Sequence, residues 1–137
     1  MGLLDRRTPA RAAGAATATA TTKQTGDAAE DRALAHLRSA GLRLVERNYR
    51  TPGRGGGEID LIMRDGAGTL VFVEVRQRAS RAQGGAAASI GAVKRRRILY
   101  AARRYLMRLP DAPPCRFDVV GIDAGELVWL QAAFDAE

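Results

Sequence analysis

The sequence predicts one α/β domain, a mixed β-sheet of about five strands flanked by helices. Short runs of β-branched and aromatic residues alternate with two longer stretches in which apolar residues recur at helical spacing. Segments rich in glycine, or ending in proline, separate these runs. The 137 residues are enough to bury one core. The expected order is helix, three strands, helix and two strands.

The N-terminal part of the chain divides into a tail and the domain. Residues 1–24 are mainly Ala, Thr and Arg, which offer little apolar surface to bury, so we expect a disordered tail. The domain is then expected to span 25–137. Its first helix is predicted from Gly26 to Ala40, with Thr25 as the N-cap and Gly41 as the C-terminal stop.

One carboxylate interrupts the apolar stripe of this helix. Ala33, Leu34 and Leu37 form the stripe, and Glu30 lies one turn before Leu34 on the same side. This places an acid on the inward face, which we favour as a functional feature. The alternative is an acid at the edge of the stripe in the first turn, where it interacts favourably with the helix dipole.

A strand and a hairpin are predicted next. The first strand covers Leu42–Tyr49, and the glycine-rich segment Thr51–Gly57 follows. That segment lacks the Gly-Lys-Ser/Thr ending of a nucleotide-binding phosphate loop and precedes no helix, which excludes nucleotide binding there. Gly57–Met63 and Leu70–Arg78 have strand composition, and the glycine-bearing turn Arg64–Gly68 joins them into a β-hairpin.

Acidic residues occupy this hairpin where apolar residues would be easier to bury. Residues two apart on a strand share a face. Three residues are predicted to share one face on each strand: Glu58, Asp60 and Ile62 on the first, and Phe72, Glu74 and Arg76 on the second. Carboxylates among apolar side chains are costly to bury unless they are paired, hydrogen-bonded or bound to a cation. Two acids and a base on neighbouring strands therefore suggest a metal site.

A long basic stretch follows the hairpin and contains the second helix, predicted at Ser89–Leu109. No acid occurs between Val75 and Pro110. The cations of interest there are Arg76, Arg78, Arg81, Lys94, Arg95, Arg96 and Arg97. A run of one sign repels itself unless a polyanion lies across it, so phosphate contacts are favoured over a merely solvated face. The formal net charge of +7 favours the same class of partner.

The last two strands are predicted at Arg116–Ile122 and Leu127–Gln131. Asp118 is an acid within an apolar strand, and it either pairs with an arginine or extends the metal site. We favour the structural role. Trp129 and Phe134 are expected in the core or at its rim, because no aromatic residue interleaves with the basic run.

Several classes of protein are disfavoured by composition. Cys115 is the only cysteine, so neither a disulfide framework nor a cysteine zinc cluster can form within one chain. No run of about 18 apolar residues indicates a spanning helix. The N-terminus lacks the apolar core of a secretory signal, and we expect a cytoplasmic protein without a membrane partner.

The acids of the hairpin suit hydrolysis of a phosphodiester. Mg²⁺ or Mn²⁺ takes oxygen ligands, and Mg²⁺ keeps several waters, so two or three carboxylates suffice to hold such an ion. The candidate ligands are Asp60, Glu74, Glu30 and the carbonyl of Val75. Arg76 or Lys94 could supply a cation that stabilises charge developing on the phosphate.

Four segments together resemble the YraN-type family of small bacterial proteins. They are Gly57–Ile62, Val71–Arg78, Gly84–Ser89 and Arg116–Val120, and the resemblance extends over about residues 24–135. The family is similar to the restriction-endonuclease-like superfamily, close to archaeal Holliday-junction resolvases. The resemblance implies a restriction-endonuclease-like core, a homodimer, and Asp60, Glu74 and Glu30 as metal ligands. Arg76 stands where the superfamily has a lysine.

The sequence therefore predicts a Mg²⁺- or Mn²⁺-dependent endonuclease acting on DNA rather than RNA, at branched or damaged sites. Arg76, Arg78 and Lys94 are expected to engage the cleaved phosphate, and Arg81 and Arg95–Arg97 the flanking backbone. Two alternatives stay open, a non-catalytic nucleic-acid-binding module of the same fold and a basic scaffold that docks an acidic partner. Arginine is always charged and cannot act as a base, which keeps the first alternative open.

Overall fold

The computed structural model describes residues 22–78 and 90–136, and the side chains of residues 22–25 and Arg78 are outside that description. Its elements are α1 (Thr22–Ser39), β1 (Arg43–Arg50), β2 (Glu58–Arg64), β3 (Leu70–Arg78), α2 (Ala92–Leu106), β4 (Cys115–Asp123) and β5 (Glu126–Phe134). The predicted α/β class and the predicted order of elements are confirmed. Most of the expected tail lies outside the described residues, as does Arg81.

The five strands form one mixed sheet in the order β1-β2-β3-β4-β5. Strands β1 to β3 are antiparallel neighbours, β3 and β4 are parallel, and β4 and β5 are antiparallel. The parallel pair needs a crossover, which α2 provides. Each helix covers one face of the sheet, because alternate residues of β3 belong to two different apolar clusters: Phe72 packs with α2, whereas Val71 and Val73 pack with α1.

The first helix begins earlier than predicted. It starts at Thr22, so Thr25 lies within the helix and the prediction that it is the N-cap was wrong. Gly26 is tolerated inside the helix, where glycine costs only about 1 kcal/mol relative to alanine. Because α1 starts at Thr22, Glu30 lies beyond the first turn, and the first turn holds no acid. The helix-dipole explanation of Glu30 therefore does not apply, since the dipole acts within the first turn.

The second helix is shorter than predicted and the last strand is longer. α2 runs from Ala92 to Leu106, directly after the extended Gly91, and Ile98, Ala102 and Tyr105 are buried on its inner side. β5 continues to Phe134, which packs against the α2 cluster, and Trp129 packs partly buried against the α1 cluster. The prediction that both aromatic residues lie in the core or at its rim is confirmed.

Asp118 lies where the pairing of β4 with β5 is irregular. Phe117 pairs with Phe134 and Val119 with Leu130, so residues 131–133 of β5 stand opposite Asp118 alone. Its fully buried carboxylate accepts hydrogen bonds from the side chain of Arg116, which approaches to 3.1 Å. The predicted pairing of Asp118 with an arginine is confirmed.

The loop before β2 is closed by its own backbone and packed against α2. Gly57 donates its amide to Thr51 Oγ1 at 2.6 Å, and the Thr51 amide donates to the Gly57 carbonyl at 3.0 Å. A Cβ on Gly57 would collide with the carbonyl oxygen of Arg97 and stand 3.0 Å from Cβ of Ala101. Glycine is therefore required at position 57 because the helix backbone approaches so closely.

Replacing Gly57 with alanine is expected to lower the free energy of unfolding by about 1–3 kcal/mol, since the clash is with helix backbone that cannot rotate away. Gly66→Ala is the matched control, because a Cβ at Gly66 meets no atom within 4 Å. Urea unfolding followed by circular dichroism measures both variants. Equal midpoints would contradict the close packing of this loop on α2.

Among the described residues, no helix is both long enough and apolar enough to cross a membrane.

Candidate functional site

Strands β2 and β3 separate where the acidic residues lie. Their pairing ends with Leu61 opposite Val73, and the next two pairs in that register would join Asp60 to Glu74 and Ile59 to Val75. Instead, the amide of Val75 donates a hydrogen bond to Asp60 Oδ2 at 2.8 Å. The carboxylate of Asp60 thus replaces a backbone acceptor and is held at the point where the strands diverge.

The alternation of side chains in β2 is interrupted at Asp60. Ile59 and Ile62 both belong to the cluster under α2, although residues three apart on a regular strand point to opposite faces. Leu61 packs on the other side with α1. Regular alternation therefore does not hold between Ile59 and Ile62. That Glu58, Asp60 and Ile62 share one face stays a prediction.

Strand β3 keeps its alternation and directs Glu74 toward α2. Phe72 lies edge-on to Tyr105 of α2, and two residues later Glu74 Oε2 lies 3.5 Å from Nζ of Lys94, also in α2. Nη1 of Arg76 lies 3.8 Å from the same carboxylate oxygen. The structure thus brings together one buried glutamate and two cations, as the shared face of β3 predicts.

Burial and the charge of Asp60 hinder the ionisation of Glu74. Glu74 is 4% exposed, and its Oε1 is buried with no hydrogen-bond donor in contact. Burial, followed by the charge of neighbouring Asp60, raises the pKa of Glu74 to about 8, although Lys94 and Arg76 oppose the shift. Burial also raises the pKa of Asp60, against the hydrogen bond from Val75. At neutral pH one proton is therefore favoured on the pair.

Glu30 is close to this pair but is held by another partner. It is partly buried on α1, where its Oε1 lies 3.4 Å from Nε of Arg47 in β1. Burial, and then the charge of Asp60, raise the pKa of Glu30. Glu30 extends from the helix on the α1 face, whereas Glu74 faces α2.

The three carboxylates expected to bind a metal do not form one cluster. Within residues 22–78 and 90–136, no three His, Cys, Asp or Glu side chains are grouped closely enough to hold an ion. Asp60 and Glu74 form a pair at the separation of the strands, and Glu30 stands to one side. The physical reason is that α1 and α2 cover opposite faces and Arg47 draws Glu30 toward β1.

The predicted phosphate-binding cations are divided between two grooves along α2. Lys94 and Arg97 line a groove of about 370 Å³ facing the loop 51–57. Arg95 and Arg96 line another, of about 640 Å³, whose opposite wall includes Phe134. The backbone of Arg78 pairs with Asp123 at the end of β3, and its side chain is outside the description.

Some features of the site have no signal in the sequence. Arg47 is 17 residues from Glu30 along the chain, and only the packing of α1 on β1 brings the two together. The hydrogen bond between Asp60 and Val75 likewise depends on the separation of two strands. The tight contact of Gly57 with α2 had a partial signal, because glycine is the usual residue where another part of the molecule approaches the backbone closely.

The free energy of unfolding of the metal-free protein should fall as pH rises from 5 to 8. In this interval folded Glu74 keeps a proton that the unfolded chain, with a pKa near 4.5, has released. The contribution of protonated Glu74 to the free energy of unfolding is complete below the pKa of Glu74 in the unfolded chain. It is lost as the pH passes the pKa of about 8 in the folded protein. The slope contributed by Glu74 is at most about 1.4 kcal/mol per pH unit.

Glu74→Gln isolates this contribution, because glutamine does not titrate. The variant should gain stability relative to wild type between pH 5 and pH 8 in urea unfolding experiments performed with EDTA. Stability curves that run parallel for the two proteins across this interval would show that Glu74 ionises normally.

This chain is similar to proteins from several bacteria. Residues 29–122 match the model of the uncharacterised protein family UPF0102. The chain is similar to the UPF0102 protein of Paracidovorax citrulli, with 68% identity over 99% of both chains. It is also 70% identical to the UPF0102 protein of Albidiferax ferrireducens, over 85% of this chain and 91% of that relative. No solved structure matches it with significant similarity.

Proposed function

The chain belongs to the YraN-type family UPF0102, and we propose that it is a Mg²⁺- or Mn²⁺-dependent endonuclease that hydrolyses DNA phosphodiesters. The observation that carries the proposal is the buried carboxyl pair of Asp60 and Glu74 where β2 leaves β3, with Lys94 and Arg76 beside Glu74. Two acids in this position destabilise the metal-free fold when both are ionised.

The residues present fit a divalent cation. Glu74 Oε1 is buried and accepts no hydrogen bond. A bound cation would give this oxygen the partner that it lacks. Asp60 and Glu74 would hold the ion together with the Val75 carbonyl, and solvent ligands would fill the remaining positions, as Mg²⁺ prefers. Such an ion supplies a water of lowered pKa and stabilises charge on a phosphate. Glu30 would lie outside the direct ligands and add negative charge nearby.

The cations at Glu74 would act on the substrate. Lys94 and Arg76 are each about one-third exposed, so their charged groups can reach a phosphate that approaches the carboxyl pair. Both can neutralise charge that develops on its oxygens. Only the amine of Lys94 can also donate or accept a proton, because the guanidinium of Arg76 stays protonated. Lys94 is thus the residue best suited to the role of the superfamily lysine.

A nucleic acid is the substrate class that the surface charge supports. Arg95, Arg96 and Arg97 are adjacent to Lys94 on α2, and their side chains line the two grooves on either side of the helix. Contacts of this kind neutralise backbone phosphates irrespective of sequence. The preference for DNA, for branched or damaged sites and for a homodimer rests on the resemblance to junction resolvases.

A second candidate is a nucleic-acid-binding module without cleavage activity. The observation that favours it is Arg76 at the position of the superfamily lysine, where a residue that can exchange a proton is expected. This module would use the same cations on α2 and would need no metal for binding.

Cleavage assays on labelled linear, flapped and four-way DNA and RNA test the proposal. The endonuclease requires products that appear with Mg²⁺ or Mn²⁺, disappear with EDTA and are lost in Glu74→Ala. Salt-sensitive binding without cleavage at any metal concentration would support the binding module instead. If the protein shows no affinity for nucleic acid near physiological salt, the basic scaffold that docks an acidic partner remains. Equal cleavage by wild type and Glu74→Ala would overturn the assignment.

A further inference from the structure

A groove beside the carboxyl pair has the properties of a phosphate-binding site. It lies between the loop 51–57 and the beginning of α2 and has a volume of about 370 Å³. Its charged lining residues are Arg50, Glu58, Lys94 and Arg97. Glycine backbone forms much of the rest, including Gly53 and Gly56. Such a wall lets an anion approach amide groups without steric hindrance from side chains.

The loop wall of this groove is formed without a ligand. Thr51 and Gly57 are joined by two hydrogen bonds that use the backbone and the threonine hydroxyl. The amide of Gly56 donates to the carbonyl of Gly53 at 3.3 Å, and Gly57 is packed directly on the backbone of Arg97. Because the loop and helix are fixed against each other, little conformational entropy is lost when an anion enters.

The charges around the groove are unbalanced in favour of an anion. Three cations line it with one carboxylate, and that carboxylate, Glu58, is already paired with Arg50 at 3.2 Å. Arg97 forms no ion pair with any residue that the structure describes. Its charge faces a concave surface rather than a flat solvated face, which distinguishes it from the exposed arginines farther along α2.

Lys94 connects this groove to the carboxyl pair. Its side chain lines the groove, and its Nζ lies 3.5 Å from Glu74 Oε2. An anion in the groove is therefore an immediate neighbour of a phosphate positioned at Glu74. Successive phosphates of one nucleic-acid strand are spaced closely enough to occupy neighbouring sites of this kind.

We propose that the groove between the loop 51–57 and α2 binds the phosphate adjacent to the cleaved one on the same strand, with Arg97 as its main cation. The inference rests on the proposed endonuclease function and specifies one contact of its substrate. It assigns a backbone phosphate as the ligand of the glycine-rich loop. The sequence excludes nucleotide binding by this loop but not contact with a nucleic-acid phosphate. The substrate must then carry negative charge at that adjacent position as well as at the cleaved bond.

Neutral methylphosphonate groups, placed one at a time along a short DNA strand, test this contact. With wild type, a neutral group at the adjacent position should weaken binding by about tenfold, the loss of one charge-assisted contact. Arg97→Gln should weaken binding to unmodified DNA by a similar factor, and the neutral group should then cause no further loss. The slope of log affinity against log salt concentration should also fall by about 1 in this variant.

Arg104→Gln is the matched control, since Arg104 is an exposed α2 arginine that lines neither groove. This variant should remain sensitive to the neutral group at the adjacent position. Binding is measured with EDTA present, so the result does not depend on cleavage. If DNA binds but Arg97→Gln keeps the full sensitivity of wild type, the contact is refuted while the endonuclease stands. If wild type binds no DNA, both proposals fail.

Discussion

Glu74→Gln and Asp60→Asn are each expected to reduce Mg²⁺-dependent cleavage by about 10³-fold or more, since removal of a single group that stabilises a transition state already costs about 10²–10³. Both substitutions keep the size of the side chain and remove its negative charge. The amide that each substitution introduces would still offer one neutral oxygen, which is a much weaker partner for a divalent cation than a carboxylate. Single-turnover cleavage of a labelled four-way DNA measures the effect.

Loss of cleavage in these variants would not reflect unfolding. Glu74→Gln removes an ionisable group whose pKa is raised by burial, so the variant should be at least as stable as wild type at pH 8. Asp60→Asn retains an oxygen that can accept the hydrogen bond from the Val75 amide. DNA affinity measured in EDTA should stay within a few-fold of wild type, because both variants retain Arg76 and the cations of α2 that contact phosphate.

Glu46→Gln provides the control for a glutamate outside the site. Glu46 is in β1 and pairs with Arg108 at 3.4 Å on the exposed surface, where an ion pair contributes about 0–1 kcal/mol. Its cleavage rate should match that of wild type. If Glu74→Gln cleaved as fast as Glu46→Gln, the carboxyl pair would have no part in the reaction, and the non-catalytic module would become the better assignment.

The fold was predictable because its signals are local. The strand composition of β3 and the helical spacing in α2 each lie within one segment, and the order of segments leaves few arrangements for a sheet with two helices. The neighbours of Glu74 were predictable for the same reason. Arg76 is on the same face of the same strand, and Lys94 lies on the flank of the apolar stripe that places α2 on the sheet.

The remainder of the site depends on contacts between distant segments. The alternation of β2 is interrupted next to Asp60, where β2 separates from β3, and no residue pattern within β2 marks that point. Glu30 is on the inward side of α1 as predicted, but its orientation depends on Arg47 in the next element. A pattern read along one strand or helix predicts which face a side chain occupies, whereas its partners on that face depend on how the elements pack.

Asp118→Ala is expected to lower the free energy of unfolding by about 3–5 kcal/mol, because three donors lose a buried acceptor and each unsatisfied buried group costs about 1–3 kcal/mol. The carboxylate of Asp118 is fully buried and satisfies three donors. They are Nε of Arg116 at 3.1 Å, Nε1 of Trp129 at 2.9 Å and the backbone amide of Ala132 at 2.9 Å. Alanine would remove the acceptor of all three donors, and Arg116 would keep its ion pair with Asp65 at 3.2 Å.

The backbone of β5 makes this loss larger than that of an ordinary hydrogen bond. Ala132 has φ of +50°, a conformation that alanine adopts only when its surroundings impose it. The hydrogen bond to Asp118 is what holds its amide, because residues 131–133 bulge away from the ladder of β4. Trp129 would also lose its polar partner, although its ring would still lie against His36, with centroids 6.0 Å apart.

Urea unfolding of Asp118→Ala, compared with Asp111→Ala, measures the effect, with the midpoint reporting stability when the slope is unchanged. Asp111 is exposed before β4, so its removal should change the free energy of unfolding by less than about 0.5 kcal/mol. Asp118→Ala protein that remains folded at low temperature should still bind DNA, because Asp118 contacts neither groove. A midpoint equal to that of Asp111→Ala would show that Asp118 does not hold β5 to β4. Loss of cleavage with unchanged stability would favour the alternative in which Asp118 extends the metal site.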